Sequence, residues 1–281
     1  TGCTSRGKSP PPSNSRIRAD RFLARPRPAT GLRNKWTVSA DIGRCYNAPV
    51  SSRKTDHSRL ELGVKFLISY FIGSLMGAML IGWLRGGVDI RTMGSGNAGG
   101  TNALRTQGVV FALGVVIVDV GKGVIGAGVI PGLELPFVPQ DPEISRTWLT
   151  LACATGAVIG HVWPVYHGFK GGKGAATLIG TLVILAPELI IGVLLVWGWM
   201  LVMTGYVGLA TMTASTMLPI WVGFTRLPDD QPLFIYLAIM AAFVIYWHRS
   251  NIRRMREGTE DRNVKVMMFK PGKSKGTDEQ A

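Results

Sequence analysis

From residue 64 onward, long apolar stretches alternate with polar, glycine-rich loops. A helix of about 20 apolar residues crosses a hydrocarbon core of about 30 Å, and it satisfies its own backbone where no water is present. Stretches suited to such a helix cover residues 64–84, 109–130, 147–166, 205–224 and 232–247. The pattern predicts an all-α fold and a polytopic integral membrane protein.

A sixth apolar stretch, 175–203, is too long for one ordinary span. Pro187 and Glu188 interrupt it, and because proline disfavours a continuing helix, we expect two shorter helices that meet at a turn. This interruption raises the predicted count from six transmembrane helices to seven. With seven, the loops 85–108 and 167–174 and the segment 248–281 share one side. They are rich in Arg and Lys, so the positive-inside rule assigns that side to the cytoplasm.

The first 63 residues differ in kind from the body. They mix Ser, Pro and Arg without an apolar period and carry most of the net charge of +14, so we expect a disordered basic N-terminal extension. Upstream translation ahead of the native start is the favoured origin, and a genuine targeting segment is the alternative. The basic residues form no nucleic-acid motif, so no nucleic-acid partner is predicted. Residues 64–281 form the predicted membrane domain.

Metal and disulfide chemistry finds no support in the sequence. The three cysteines lack C-x-x-C spacing, and the four histidines show no pairing with cysteine or carboxylate at metal-ligand intervals. We therefore expect no metal site, no cofactor and no disulfide framework.

The first polar constellation, motif one, covers residues 93–105 and follows the first apolar stretch. Its glycines allow backbone amides to converge on an anion, and Arg105 adds a planar charged fork suited to phosphate. The segment leads into a helix, whose N-terminus also favours negative charge. The predicted phosphate-site residues here are Ser95, Gly96, Asn97, Thr101, Asn102 and Arg105.

Motif two, residues 160–177, carries a Lys-Gly-Gly-Lys-Gly run. The run is unlike a nucleotide-binding P-loop, because the spacing is one residue short and Gly174 stands where Ser or Thr would hold magnesium. Exposed amides and ammonium groups still suit a phosphate. The predicted site residues here are His161, Gly171, Gly172, Lys173 and Gly174.

Motif three, residues 248–260, follows the last apolar stretch. Arg249, Arg254 and Arg256 are what positive-inside topology alone produces, whereas Asn251 and Glu260 are not explained by topology. Within the second apolar stretch, Asp119 and Lys122 stand three residues apart and could pair, and charged groups at that depth are functional candidates.

Together these segments resemble the acyl-phosphate:glycerol-3-phosphate acyltransferase family of bacteria, the PlsY-type membrane acyltransferases. The likeness covers residues 66–260 and rests on the glycine-rich segments 94–105, 160–165 and 169–174 and on 248–254 with Gly258 and Glu260. The chain departs from the family pattern at His167, where an aromatic residue is usual, and at Gly208, where Ser is common and Thr211 is the candidate replacement.

The resemblance implies transfer of a fatty acyl group from acyl phosphate to the sn-1 hydroxyl of glycerol 3-phosphate, giving lysophosphatidic acid. It implies the cell inner membrane, an active site facing the cytoplasm, and a functional link to a soluble acyl-phosphate-forming acyltransferase. The implied catalytic residues are Ser95, Arg105, Lys173, His248, Asn251 and Glu260, with Lys122 and Arg253 among the phosphate-binding residues. A transporter for an organic phosphate is the alternative, although the charged motifs gather on one face.

Overall fold

This computed structural model of the chain describes residues 54–269, with side chains described from Leu60 onward. The described residues form α-helices joined by loops and short 3-10 turns, as the apolar pattern predicts. The helices are α1 Lys54–Gly73, α2 Gly77–Leu84, α3 Gly100–Gln107, α4 Val109–Gly128, α5 Arg146–Val162, α6 Ala175–Leu185, α7 Leu189–Thr204, α8 Val207–Thr225, α9 Gln231–Trp247 and α10 Arg249–Arg256.

The start of the body differs from its predicted boundary. Residues 54–63, which we expected to be disordered, belong to α1. Glu61 explains the difference, because its fully buried carboxylate accepts hydrogen bonds from Nζ of Lys65 (2.9 Å), from Nη1 of Arg146 (2.7 Å) and from the amide of Asp141 (2.9 Å). The remainder of the predicted extension, residues 1–53, lies outside the described residues, as does 270–281.

Within residues 54–269, length and composition make three helical segments able to cross a membrane by themselves: 109–132, 146–167 and 207–225. Counting two bent pairs, α1 with α2 and α9 with α10, as one span each would raise this number to five. The predicted span 64–84 is thus not one straight helix, since it breaks between Gly73 and Gly77. The apolar stretch 175–203 forms α6 and α7, with Pro187 in the break between them.

The helices pack closely where glycine removes the side chain from the interface. On α5, a Cβ at Gly160 would lie 2.1 Å from the carbonyl oxygen of Tyr70 on α1, and one at Gly156 would lie 2.7 Å from that of Phe66. Spacing small residues four apart lets helix backbones approach each other in this way in membranes. These contacts fix α5, which carries motif two at its end, against α1.

The outer surface of the helices is apolar. On α7, Ile191, Leu195 and Trp199 recur every four residues and are 71%, 68% and 63% exposed. A continuous exposed apolar stripe of this kind suits contact with lipid and not with water. The buried core lies between α4, α5, α6, α8 and α9, around Val158, Leu182, Val222 and Leu237.

Candidate active site

The loop of motif one folds around a buried amide. Asn102, on α3, donates from Nδ2 to the carbonyls of Ile90 (2.8 Å) and Met93 (3.1 Å), and its Oδ1 accepts from the amide of Ser95 (3.0 Å). Both amide hydrogens are used within the loop. The side chain of Asn102 therefore shapes the loop, and its contact with phosphate stays a prediction.

The remaining motif-one positions form the outer side of that loop. Ser95 and Gly96 are exposed, whereas Asn97 and Thr101 are half-buried. Gly96 has a φ of 70°, a conformation that glycine reaches without steric cost. Arg91, just before the motif, donates from Nη1 to the carbonyl of His167 (3.2 Å) and so ties this loop to motif two.

Motif two rests on the imidazole of His161, at the end of α5. The carbonyl of His161 accepts from the amide of Gly172 at 3.1 Å. A Cβ on Gly172 would lie 2.1 Å from Nε2 of His161, and one on Gly171 would lie 2.1 Å from the His161 carbonyl. These two glycines are thus required by packing against His161, a buried residue that we had expected to contact phosphate. Gly174, with a φ of 86°, precedes the first turn of α6.

Lys122, another predicted phosphate ligand, is buried inside the bundle. Its Nζ donates to the carbonyl of Leu75 at 3.0 Å and lies 3.0 Å from Oδ1 of Asp119. The ammonium is therefore committed to the break between α1 and α2. Its binding of phosphate stays a prediction, and in this structure the ammonium contacts a backbone carbonyl and a carboxylate.

A chain of polar side chains joins motif two to motif three. Nζ of Lys173 donates to Oδ1 of Asn251, and Nδ2 of Asn251 donates to Oε1 of Glu260 at 2.6 Å. Nε of Arg254 donates to Oε2 of Glu260, also at 2.6 Å. Asn251 and Glu260 are buried, so the chain is held in one geometry between an ammonium and a guanidinium.

Among these hydrogen-bonded side chains, Arg254 is the one that the sequence did not predict, since we expected it to be a topology residue. Its contact with Glu260 depends on the turn at residues 257–259, which brings the glutamate back against α10; the amide of Glu260 donates to the carbonyl of Arg254 at 3.1 Å. Spacing alone gives no sign of such a return. A glycine at 258 with a φ of 70° was the available signal.

Gly208 and Thr211, the two positions noted as departures, lie on α8. A Cβ at Gly208 would lie 3.0–3.1 Å from the side chain of Asn251, so glycine gives the asparagine room. The hydroxyl of Thr211 donates to the carbonyl of Val207 (2.9 Å) and accepts from the indole of Trp197 (3.2 Å). Thr211 is thus engaged within the helices, and the suggested substitution for serine finds no support.

Arg105 reaches the same region from motif one. Its Nη1 donates to Oδ2 of Asp261 at 2.8 Å, and Asp261 directly follows Glu260. Burial is the largest cause that lowers the pKa of Lys173, which falls to about 8. The positive charges of Arg254 and Arg105 also lower this pKa, whereas the negative charge of Glu260 raises it. Lys173, Arg254 and Arg105 thus lie close enough for their charges to interact.

The remaining two predicted residues, His248 and Arg253, lie in different environments. His248 is buried at the start of α10, and Nδ1 lies 2.8 Å from the carbonyl of Val244. Because a carbonyl only accepts, Nδ1 carries the proton and Nε2 is the basic nitrogen. Arg253 is 80% exposed and pairs with Glu257 at 2.8 Å on the outer face of α10. Its predicted role in phosphate binding stays a prediction, and its guanidinium is paired with Glu257 in this structure.

The described geometry defines a class of protein: a helical membrane protein in which three loop-borne motifs at the ends of the helices gather cationic and polar side chains. The chain belongs to the glycerol-3-phosphate acyltransferase family, whose family model matches residues 64–258.

Individual relatives agree with this assignment. The glycerol-3-phosphate acyltransferase of Halalkalibacterium halodurans is 39% identical over 208 residues, covering 72% of this chain and 96% of the relative. That of Chlorobium luteolum is 36% identical over 222 residues, covering 69% and 93%. The crystal structure of PlsY (YgiH), an integral membrane glycerol 3-phosphate acyltransferase, in its glycerol 3-phosphate form is similar with a TM-score of 0.60 and 29% identity, over 72% of this chain and 94% of that one. A second structure of PlsY is described as a lysophosphatidic acid form.

Proposed function

We propose that the chain transfers a fatty acyl group from an acyl phosphate to the sn-1 hydroxyl of glycerol 3-phosphate, giving lysophosphatidic acid and inorganic phosphate. The observation that carries the proposal is the hydrogen-bonded chain from Lys173 through Asn251 and Glu260 to Arg254, with Arg105 beside it. Both substrates bear a phosphate, and clustered cations with fixed partners bind phosphate strongly. The lysophosphatidic acid form of the related PlsY supports the product.

The chemistry needs no covalent enzyme intermediate, because acyl phosphate is already activated. The glycerol hydroxyl oxygen bonds to the acyl carbonyl carbon, the bond from that carbon to the phosphate oxygen breaks, and phosphate leaves with the electron pair. Lys173 and Arg105 hold the phosphates and offset the charge that develops on the leaving group. The hydroxyl proton passes either to Nε2 of His248 or to an oxygen of the departing phosphate.

The proposal includes a site on the cytoplasmic face of the bacterial inner membrane and seven transmembrane helices. Motifs two and three touch through Lys173 and Asn251, so an even number of crossings must separate them. With α6 and α7 as separate crossings the number between the motifs is four, and as one joint span it would be three. This parity favours seven over six. A soluble enzyme that forms acyl phosphate would then supply the donor from the cytoplasm.

The test is a donor comparison in membranes that contain the full chain. With glycerol 3-phosphate and radiolabelled acyl phosphate, we expect lysophosphatidic acid and an equal amount of phosphate, without added metal or nucleotide. Lys173→Met should abolish this activity, whereas Lys170→Met, at an exposed neighbouring lysine, should retain it. Activity with acyl-coenzyme A but none with acyl phosphate would overturn the donor assignment. Full activity in His248→Ala would assign the proton to the phosphate.

A further inference from the structure

A buried charge pair bridges the break between α1 and α2. The chain leaves α1 at Gly73 and enters α2 at Gly77, and each broken end leaves backbone groups without a helical partner. Nζ of Lys122 donates to the carbonyl of Leu75 (3.0 Å), and Oδ1 of Asp119 accepts from the amide of Gly77 (3.2 Å). The Lys122 ammonium thus binds a carbonyl that follows α1, and the Asp119 carboxylate binds an amide at the beginning of α2. Helix dipoles favour a cation after a helix and an anion before one.

The same carboxylate oxygen also faces motif two. Nδ1 of His161 lies 3.4 Å from Oδ1 of Asp119, within ion-pair range, and it forms no hydrogen bond among the described residues. His161 is 2% exposed, so its ring is shut away from water. Asp119 is the carboxylate that faces Nδ1 of this ring.

The ring in turn supports the turn that carries Lys173. Gly172 sits directly on Nε2, close enough that a single methyl group would lie 2.1 Å from it, and its amide is held by the His161 carbonyl at 3.1 Å. Lys173 follows at once and reaches Asn251. A rotation of the imidazole would displace Gly172 and, with it, the ammonium at the candidate active site.

We propose that Asp119 is a positioning residue for the active site, acting through the His161 ring on the Gly172–Lys173 turn while Lys122 fixes its carboxylate against the break in the first helix pair. The inference rests on the proposed function for its kinetic consequence. Its structural consequence, that Asp119 controls the order of residues 168–174, is independent of which reaction the site performs.

The test compares two buried carboxylates. Asp119→Asn keeps the size of the side chain and removes its charge, and Glu61→Gln does the same to an ion-paired carboxylate that has no link to the site. Both variants should unfold at a lower temperature than the parent. Asp119→Asn alone should raise KM for glycerol 3-phosphate about tenfold, because the carboxylate that faces the His161 ring loses its charge, with a smaller change in kcat. It alone should also speed amide hydrogen exchange in a peptide that spans residues 168–174.

His161→Asn removes the imidazole partner of the same contact. It keeps the test decisive if Asp119→Asn does not fold. It should raise KM and exchange in the same way, and the double variant should be no worse than the more damaging single one, because both changes break one chain of contacts. Equal effects of Asp119→Asn and Glu61→Gln on both KM and exchange would overturn the proposal, as would full additivity in the double variant. If wild-type membranes lacked the transferase activity while the exchange pattern held, the proposed function would fail and the positioning role would stand.

Discussion

Replacing Arg254 by alanine removes the donor that holds Oε2 of Glu260 at 2.6 Å. The glutamate side chain is only 5% exposed, so the variant leaves a buried carboxylate with a single remaining partner, Asn251. A hydrogen bond to a charged group contributes about 1.5–3 kcal/mol. Arg254 itself is one-third exposed, so we take the lower half of that range, about 1.5–2 kcal/mol, which corresponds to roughly 10- to 30-fold in kcat/KM.

The matched control is Arg256→Ala, on the exposed part of the same short helix, which should change kcat/KM less than about threefold. Steady-state kinetics with acyl phosphate and glycerol 3-phosphate would be measured for both variants in membranes, at equal amounts of folded protein. If Arg254→Ala stayed within threefold of Arg256→Ala, Arg254 would be no more than a topology residue and its contact with Glu260 would have no catalytic meaning.

Three further outcomes are expected. Gly172→Ala should lower the unfolding temperature and raise KM for glycerol 3-phosphate, because overpacking against the buried His161 ring costs about 1–3 kcal/mol. Gly121→Ala, at a position with open space around it, should change neither quantity. KM for glycerol 3-phosphate should rise as the pH passes above about 8, since the Lys173 ammonium then loses its charge, and in Arg254→Ala this rise should move to higher pH because a neighbouring cation is gone. Asp261→Asn should lower KM for glycerol 3-phosphate by about twofold, because an exposed carboxylate that competes for Arg105 is neutralised. Asp229→Asn should leave this KM unchanged. An increase in KM for Asp261→Asn would show that Asp261 orients Arg105 for the substrate.

The apolar stretches predicted most helices within a few residues, because long hydrophobic runs leave the backbone little alternative to a helix in lipid. The break at residues 74–76 was missed. No proline stands there, and the groups that stabilise it, Asp119 and Lys122, are more than forty residues away in the sequence. A break supported by distant side chains leaves no local signal.

Some residues of the candidate site were predicted from the sequence and others were not, because their contacts also depend on residues distant in the sequence. Lys173, Asn251 and Glu260 were recognised and do come together, since their types and motif positions were distinctive. Asn102 and Arg253 were assigned to phosphate from their residue types and their places in the motifs. Whether an amide or a guanidinium is free to bind a ligand depends on which neighbours already use its hydrogens, and the sequence does not state that.

The buried Glu61 limits how far the chain can be shortened for expression. The family match begins at residue 64, and a vector that starts there would discard this glutamate. Lys65, 1% exposed, would keep only the carbonyl of Pro131 at 2.8 Å, and an ammonium stranded in the interior costs several kcal/mol. A shortened protein that is meant for crystals or assays should therefore begin no later than Lys54, where α1 begins.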